Sequence, residues 1–158
     1  MAKEIPYDIV THSADETISF GRRLADVLQP PCIVLLEGDL GSGKTTLAKG
    51  IVAGLGAAKT EDVTSPSFTL VHEYGGEPDG RLRAGSMPRV VHVDLYRIES
   101  PREIESLGLD ELSSTASTVL IEWGERLPRP PAESWVRIRM ETVGESKRRI
   151  VVERSGEE

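Results

Sequence analysis

One short segment of the chain has the residue pattern of a phosphate-binding loop. It reads Gly38-Asp39-Leu40-Gly41-Ser42-Gly43-Lys44-Thr45 and matches G-x-x-x-x-G-K-[ST] at every fixed position. Glycines let successive backbone N–H groups turn toward a phosphate, and a helix N-terminus adds a partial positive charge. We expect Lys44, as an exposed charge at the start of that helix, to reach the β- and γ-phosphates of a nucleotide. The Thr45 hydroxyl can then ligate Mg²⁺.

Two acidic residues end short apolar runs that are typical of buried strands. Asp94 follows Val90-Val91-His92-Val93, and Glu122 follows Val119-Leu120-Ile121. A phosphate loop of this kind needs a carboxylate at the end of a neighbouring strand to hold the hydration shell of Mg²⁺. Either acid could instead face water at its strand end. The residues alone leave open which of the two binds the metal directly.

The residue composition favours adenine over guanine as the base of the nucleotide. GTPases commonly select guanine with an Asn-Lys-x-Asp motif, and this sequence contains no asparagine. Its one glutamine, Gln29, precedes the phosphate loop and is no candidate for orienting a hydrolytic water. The hydroxyl-rich segment Thr64–Thr69 follows the expected phosphate-loop helix, where switch segments of such folds contact the γ-phosphate. A plain turn around Pro66 is the alternative interpretation of that segment.

The elements that must position these residues can be predicted from hydrophobic periodicity and turn residues. Strands and helices alternate at first and are followed mostly by strands. This order predicts an α/β fold, a P-loop NTPase-like three-layer sandwich whose mixed sheet has a parallel centre and an antiparallel C-terminal hairpin. The first helix opens at the capping box Ser13-x-x-Glu16 and ends by Pro30. The other predicted helices span 44–52 and 101–107, and the predicted strands span 5–11, 32–36, 68–74, 90–94, 119–122, 135–140 and 149–152.

The length and composition of the chain predict one domain. A chain of 158 residues fits a single domain over 1–158, with 38% hydrophobic and 28% charged residues. The glycine-rich stretch 75–88 is expected to be a mobile loop, and 154–158 a disordered tail. One cysteine excludes an internal disulfide framework, and no apolar run is long enough for a membrane span. We therefore expect a soluble, cytoplasmic protein without membrane contact.

The net charge argues against tight, unaided binding to nucleic acid. Nineteen Lys and Arg residues stand against 26 Asp and Glu residues, which gives a net charge of −7 and an isoelectric point near 5.1. Nucleic-acid binders normally carry a basic face, because neutralisation of phosphates supplies much of their affinity. Any contact with RNA is therefore expected to go through a partner.

Four segments in a fitting order and spacing resemble the bacterial TsaE (YjeE) family of ATPases, which act in tRNA threonylcarbamoyladenosine biosynthesis. The resemblance covers residues 8 to 153, and the combination of segments is far more specific than the phosphate loop alone. The departures lie in the insertion at 75–88 and in the acidic C-terminal tail. The four segments are Glu37–Thr46, Thr64–Val71, His92–Arg97 and Ile121–Trp123.

The resemblance implies a small ATPase that uses ATP and Mg²⁺ and works with two proteins, TsaD and TsaB. These partners make the N6-threonylcarbamoyl modification on the adenosine beside the anticodon of tRNAs that read A-starting codons. TsaD carries the transfer chemistry, and ATP hydrolysis resets the TsaB–TsaD pair between turnovers. By the same resemblance, Lys44, Asp94 and Glu122 act in hydrolysis, and Thr45 and Glu122 hold Mg²⁺. The residues implied to contact the nucleotide are Gly41, Ser42, Gly43, Lys44, Thr45, Thr46 and Trp123.

Two other classes of function remain open at this point. A small P-loop kinase that phosphorylates a metabolite would need a helical lid with arginines that close over the phosphates, and no such helix is predicted after Asp94. A nucleotide-dependent interaction module would bind its partners equally well without hydrolysis. A hydrolysis-dead variant that still supports tRNA modification in cells would favour the interaction module.

Overall fold

A mixed β-sheet with helices on both faces organises the described part of the chain. The computed structural model describes residues 8–28, 32–66, 69–76, 88–109, 118–128 and 135–155. Within those ranges, the helices are α1 (Ala14–Ala25), α2 (Lys44–Gly54) and α3 (Pro101–Ser106). The strands there are β1 (Asp8–Thr11), β2 (Cys32–Glu37), β3 (Val71–Tyr74), β4 (Val90–Asp94), β5 (Thr118–Glu122), β6 (Trp135–Thr142) and β7 (Arg148–Arg154).

The strand order places the phosphate loop over the centre of the sheet. In space the strands run β1-β7-β6-β2-β5-β4-β3, and β6, β2, β5 and β4 are mutually parallel. β3 pairs antiparallel with β4, and β7 pairs antiparallel with β6 and β1. The carboxyl ends of β2, β5 and β4 therefore meet at one edge of the sheet, where α/β folds bind their ligands. The predicted parallel centre and antiparallel C-terminal hairpin are confirmed.

Two apolar clusters cover the two faces of the sheet. Side chains alternate along each strand, so Val34 and Leu36 of β2 face one cluster while Ile33 and Leu35 face the other. The first cluster lies under α1 and α2, and the second under Leu95, Ile98 and the α3 region. β2, β4 and β5 are buried along their length, as expected of parallel strands that are covered on both faces.

The capping box at the start of α1 forms with one change from the expected pattern. Ser13 Oγ accepts a hydrogen bond from the Glu16 backbone N–H at 3.1 Å. Glu16 Oε2 accepts from the backbone N–H of His12 at 2.6 Å, one residue before the cap. Both bonds satisfy backbone donors at the helix start, which is the stabilising effect that the sequence spacing predicts.

Two glycines let α1 and α2 pack closely together. A Cβ on Gly21 would lie 2.6 Å from the carbonyl oxygen of Leu47, and a Cβ on Gly50 would collide with the carbonyl of Ile18. Glycine is less favourable than alanine inside a helix. Its presence on both facing helices is therefore explained by their close approach. Because α2 carries the phosphate loop at its N-terminus, the contact with α1 fixes the position of the loop relative to the sheet.

Most predicted boundaries lie within two residues of those in the structure, and residues 5–7 of the first predicted strand lie outside the described ranges. α1 ends at Ala25, before the prolines expected to stop it, and β3 begins at Val71 rather than at 68. β7 continues to Arg154, the first residue of the expected disordered tail, and residues 156–158 lie outside the described ranges. Of the expected mobile loop at 75–88, residues 77–87 also lie outside them. In the described part of the chain, no helix is long and apolar enough to cross a membrane.

Candidate nucleotide-binding site

The phosphate loop joins β2 to α2 and uses glycine where its backbone requires it. Gly43, the residue before α2, has φ of +101°, and Gly41 has φ of +81°, a region that other residues rarely adopt. Gly38 has φ of +147°, and a Cβ there would lie 2.6 Å from Ser42 Oγ. The loop is closed by a hydrogen bond from Ser42 N to Asp39 O at 3.0 Å. Its tight backbone leaves the first N–H groups of α2 facing the site.

Lys44 is buried, so the prediction of an exposed charge is wrong. Its side chain folds back along the loop, where Nζ donates to Gly38 O at 2.6 Å and to Asp39 O at 2.9 Å. Nζ also lies 4.1 Å from the centre of the Trp123 ring, and the residue is only 5% exposed. Burial lowers the pKa of Lys44, and the carboxylates of Glu125 and Glu122 oppose that shift. The ammonium is thus held by the loop itself at the place where a phosphate would bind.

Thr45 and Glu122 are in direct contact, although 77 positions separate them in the chain. Thr45 Oγ1 donates to the Glu122 carboxylate, with distances of 2.9 Å to Oε1 and 3.0 Å to Oε2. Glu122 ends β5, which lies next to β2, so its side chain reaches the first turn of α2. At 3% exposed it is an acid deep in the site rather than a strand-end residue facing water.

Asp94 lies beside Glu122 and contacts a different segment. The two acids are directly opposite each other in the β4–β5 register. Asp94 Oδ2 accepts from Ser65 Oγ at 3.0 Å, and Oδ1 accepts from the backbone N–H of Tyr96 at 2.8 Å. Asp94 is also 3% exposed. It therefore connects the end of β4 to the hydroxyl-rich segment that the sequence places after α2, of which residues 67 and 68 lie outside the described ranges.

Trp123 occupies a strained backbone position next to the site. Its φ of +63° and ψ of +41° lie in the left-handed region, which bulky side chains rarely adopt. The turn places its indole against the Tyr96 ring, with 5.0 Å between the ring centroids. The Arg126 guanidinium lies 5.6 Å from the Trp123 ring centre and 5.7 Å from that of Tyr96. The Trp123 and Tyr96 rings thus form an aromatic surface beside the phosphate loop, and the Lys44 and Arg126 cations pack against it.

His92 contacts Glu122, a role that the sequence motifs did not predict. His92 Nε2 lies 2.6 Å from Glu122 Oε2, and both side chains are buried. The available signal was a lone histidine in the otherwise apolar run before Asp94, two residues ahead of that acid. Since alternate residues of a strand share a face, this spacing places His92 and Asp94 on the same side of the sheet. The spacing alone does not identify Glu122 as the partner of His92.

A cavity of about 540 Å³ brings the site residues together with two elements that the sequence patterns did not connect with the site. Lys44, Thr45, Asp94, Glu122 and Trp123 all line it. Gly41, Gly43 and Thr46 of the predicted set also line it, whereas Ser42 of the same loop is buried and does not line it. The other walls come from the start of α1 and from the β6–β7 hairpin, which contribute Ser13, Ala14, Thr17, Glu145, Ser146 and Arg148.

The parallel sheet centre and the glycine-rich loop between β2 and α2 define a protein of the P-loop NTPase fold class. The family model described as "Threonylcarbamoyl adenosine biosynthesis protein TsaE" matches residues 11–150. The chain belongs to the TsaE family, which takes part in tRNA threonylcarbamoyladenosine biosynthesis.

Relatives from several bacteria agree with this assignment. A protein of Nostoc sp. named tRNA threonylcarbamoyladenosine biosynthesis protein TsaE is 40% identical over 75% of this chain and 68% of its own length. Proteins of the same name from Bacillus subtilis (35% identical, covering 89% of this chain and 80% of the relative) and Treponema pallidum (34%, covering 90% and 97%) also match. The crystal structure of Bacillus subtilis YdiB superposes with a TM-score of 0.66 at 28% identity, covering 98% of this chain and 87% of that one.

Proposed function

We propose that this protein binds ATP with Mg²⁺ and hydrolyses it. In doing so it supports a TsaB–TsaD complex that forms N6-threonylcarbamoyladenosine in tRNAs reading A-starting codons. The observation that carries the proposal is the contact between Thr45 of the phosphate loop and the buried carboxylate of Glu122. A hydroxyl at the helix start bonded to a strand-end acid is the pair that P-loop NTPases use to hold Mg²⁺.

The residues present fit a magnesium nucleotide. Mg²⁺ prefers oxygen ligands, and the Thr45 hydroxyl and the carboxylates of Glu122 and Asp94 supply them on one side of the cavity. The cavity of about 540 Å³ is within the range of small-molecule sites. Bound Mg²⁺ would neutralise negative charge on the β- and γ-phosphates. Thr45 and Glu122 would hold the metal, and Trp123 would border the nucleotide.

The remaining residues divide into those that bind phosphate and those that act on water. Lys44 and the backbone N–H groups of Gly41, Gly43 and Thr45 would hold the phosphates, since these groups border the cavity and carry positive charge or partial charge. Asp94 would orient the attacking water or the switch segment, because it already binds Ser65. The Lys44 ammonium is desolvated by its surroundings, which strengthens its interaction with phosphate.

The surface of the site suggests how the nucleotide state reaches a partner. Leu40 on the phosphate loop is 74% exposed and Tyr96 is 40% exposed, so apolar groups at the rim face solvent. Ser65 at the rim bonds to Asp94, which would lie near the γ-phosphate of a bound ATP. With a net charge of −7, the protein itself offers little attraction to tRNA, so RNA contact belongs to the partners.

We expect binding to the TsaB–TsaD pair to depend on the nucleotide present, because the γ-phosphate reorders the segment around Ser65. Calorimetry and pull-down should be run with a non-hydrolysable ATP analogue, with ADP and without nucleotide. The expected result is a clear preference for one nucleotide state. The same protein alone should bind tRNA weakly at physiological salt. Equal affinity in all three states, or tight binding of tRNA by the isolated chain, would contradict the proposal.

A further inference from the structure

We propose that His92 is a positioning residue for the magnesium site: it fixes the carboxylate of Glu122 so that Glu122 can orient the Thr45 hydroxyl. This inference rests on the proposed function. His92 is fully buried, and its Nε2 lies 2.6 Å from Glu122 Oε2. A carboxylate accepts hydrogen bonds, so Nε2 carries the hydrogen of this bond.

The other ring nitrogen supports that tautomer. Within the described residues, His92 Nδ1 is buried and has no hydrogen-bond partner. A hydrogen on Nδ1 would be a buried donor without an acceptor, which costs free energy. The tautomer with hydrogen on Nε2 leaves only a lone pair unsatisfied there and makes the short bond to Glu122. Among the described residues, the His92 ring therefore makes its hydrogen bond to Glu122 alone.

The sheet register explains why His92 reaches Glu122. His92 is directly opposite Leu120 on β5, and Glu122 is two residues further along that strand. The contact is thus a diagonal one between neighbouring parallel strands, on the face that α2 covers. Both side chains are long enough to span such a diagonal. The bond crosses from β4 to β5 beneath the phosphate loop.

Three groups form a continuous chain of hydrogen bonds toward the metal position. His92 donates to Glu122, and Glu122 accepts from Thr45. When Thr45 donates its hydrogen to Glu122, the lone pairs of its oxygen are left for a metal ion. Without His92, the Glu122 carboxylate could rotate and the Thr45 hydroxyl would lose its fixed orientation. Loss of a residue that hydrogen-bonds to a metal-binding group commonly lowers metal affinity by about 10–100-fold.

The test measures ADP binding by calorimetry at increasing Mg²⁺ concentrations for the full chain and its variants. In His92→Phe, which keeps a ring but removes the donor, we expect about tenfold more Mg²⁺ for half-maximal enhancement of ADP binding. ADP binding without Mg²⁺ should stay unchanged. His92→Gln, which keeps a donor near the Nε2 position, should restore most of the Mg²⁺ affinity. His72→Phe is the matched control, because His72 lies opposite His92 on β3 and bonds only with Tyr74 among the described residues.

The outcomes separate this inference from the proposed function. If ADP binding by the unsubstituted protein does not respond to Mg²⁺, the proposed function fails. If it responds and His92→Phe behaves like the unsubstituted protein and like His72→Phe, the positioning role of His92 is overturned. A folded His92→Gln that is as impaired as His92→Phe also overturns it. Should His92→Phe not fold, ¹⁵N NMR of the histidines in the unsubstituted protein decides: hydrogen on Nε2 of His92 supports the inference, and its absence overturns it.

Discussion

Replacing Lys44 with alanine is expected to reduce ATP hydrolysis by about a hundredfold to a thousandfold, the usual loss when one preorganised donor is removed from developing charge. Lys44 is the buried cation of the phosphate loop and borders the cavity. Steady-state release of inorganic phosphate measures the effect. Lys49→Ala on the same helix is the matched control, because Lys49 is only partly buried and does not line the cavity.

The burial of Lys44 adds a second expectation for the same variant. Its ammonium donates to the carbonyls of Gly38 and Asp39, so alanine leaves two loop acceptors without this donor. We therefore expect a loss of thermal stability together with the loss of activity, because a hydrogen bond to a charged group is worth about 1.5–3 kcal/mol. Far-ultraviolet circular dichroism should still show the native fold. If a folded Lys44→Ala protein hydrolysed ATP at an unchanged rate, Lys44 would have no role in hydrolysis.

Glu122→Ala should raise the Mg²⁺ concentration needed for half-maximal hydrolysis more than Asp94→Ala does. Glu122 bonds directly to Thr45, whereas Asp94 bonds to Ser65 and to the Tyr96 backbone. We expect Glu122→Ala to need at least tenfold more Mg²⁺ for half-maximal rate. Asp94→Ala should lose rate at saturating Mg²⁺ with less change in the Mg²⁺ requirement. Rates measured across a Mg²⁺ titration give both quantities.

Each of the two acid variants serves as the experimental control for the other. They are equally buried and directly opposite in register, so loss of a buried carboxylate is common to both variants. A difference between them therefore reports the partner of each acid. If Asp94→Ala shifted the Mg²⁺ requirement more than Glu122→Ala, the two roles would be exchanged.

Sequence patterns predicted most helices and strands, because the residues that form or start each of these elements are close together in the chain. The apolar run Val90–Asp94 is β4 with the predicted bounds, and the Ser13–Glu16 spacing does start α1. The phosphate loop could be recognised because its backbone geometry requires glycine at fixed places, as at Gly43. The ends of β3 and β7 were less predictable, since pairing with a neighbouring strand decides how far a strand continues.

The site could be predicted only in part because its contacts depend on strand order. Asp94 and Glu122 look equivalent in sequence, each ending an apolar strand. Only the order β2-β5-β4 places Glu122 next to the phosphate loop and Asp94 one strand further away. The same order creates the His92–Glu122 contact. The burial of Lys44 was missed because it depends on Trp123, 79 positions later in the chain, whose left-handed backbone turns the indole over the loop.

We infer that this chain hydrolyses ATP to support tRNA modification by TsaB and TsaD. The most direct measurement is the rate of ATP hydrolysis with and without the TsaB–TsaD pair, alongside threonylcarbamoyladenosine formation on tRNA in the same mixtures. We predict slow hydrolysis by the isolated chain, faster hydrolysis with the pair, and sustained modification that needs both ATP turnover and this chain. Hydrolysis that the pair leaves unchanged, or sustained modification when this chain is omitted, would contradict the account.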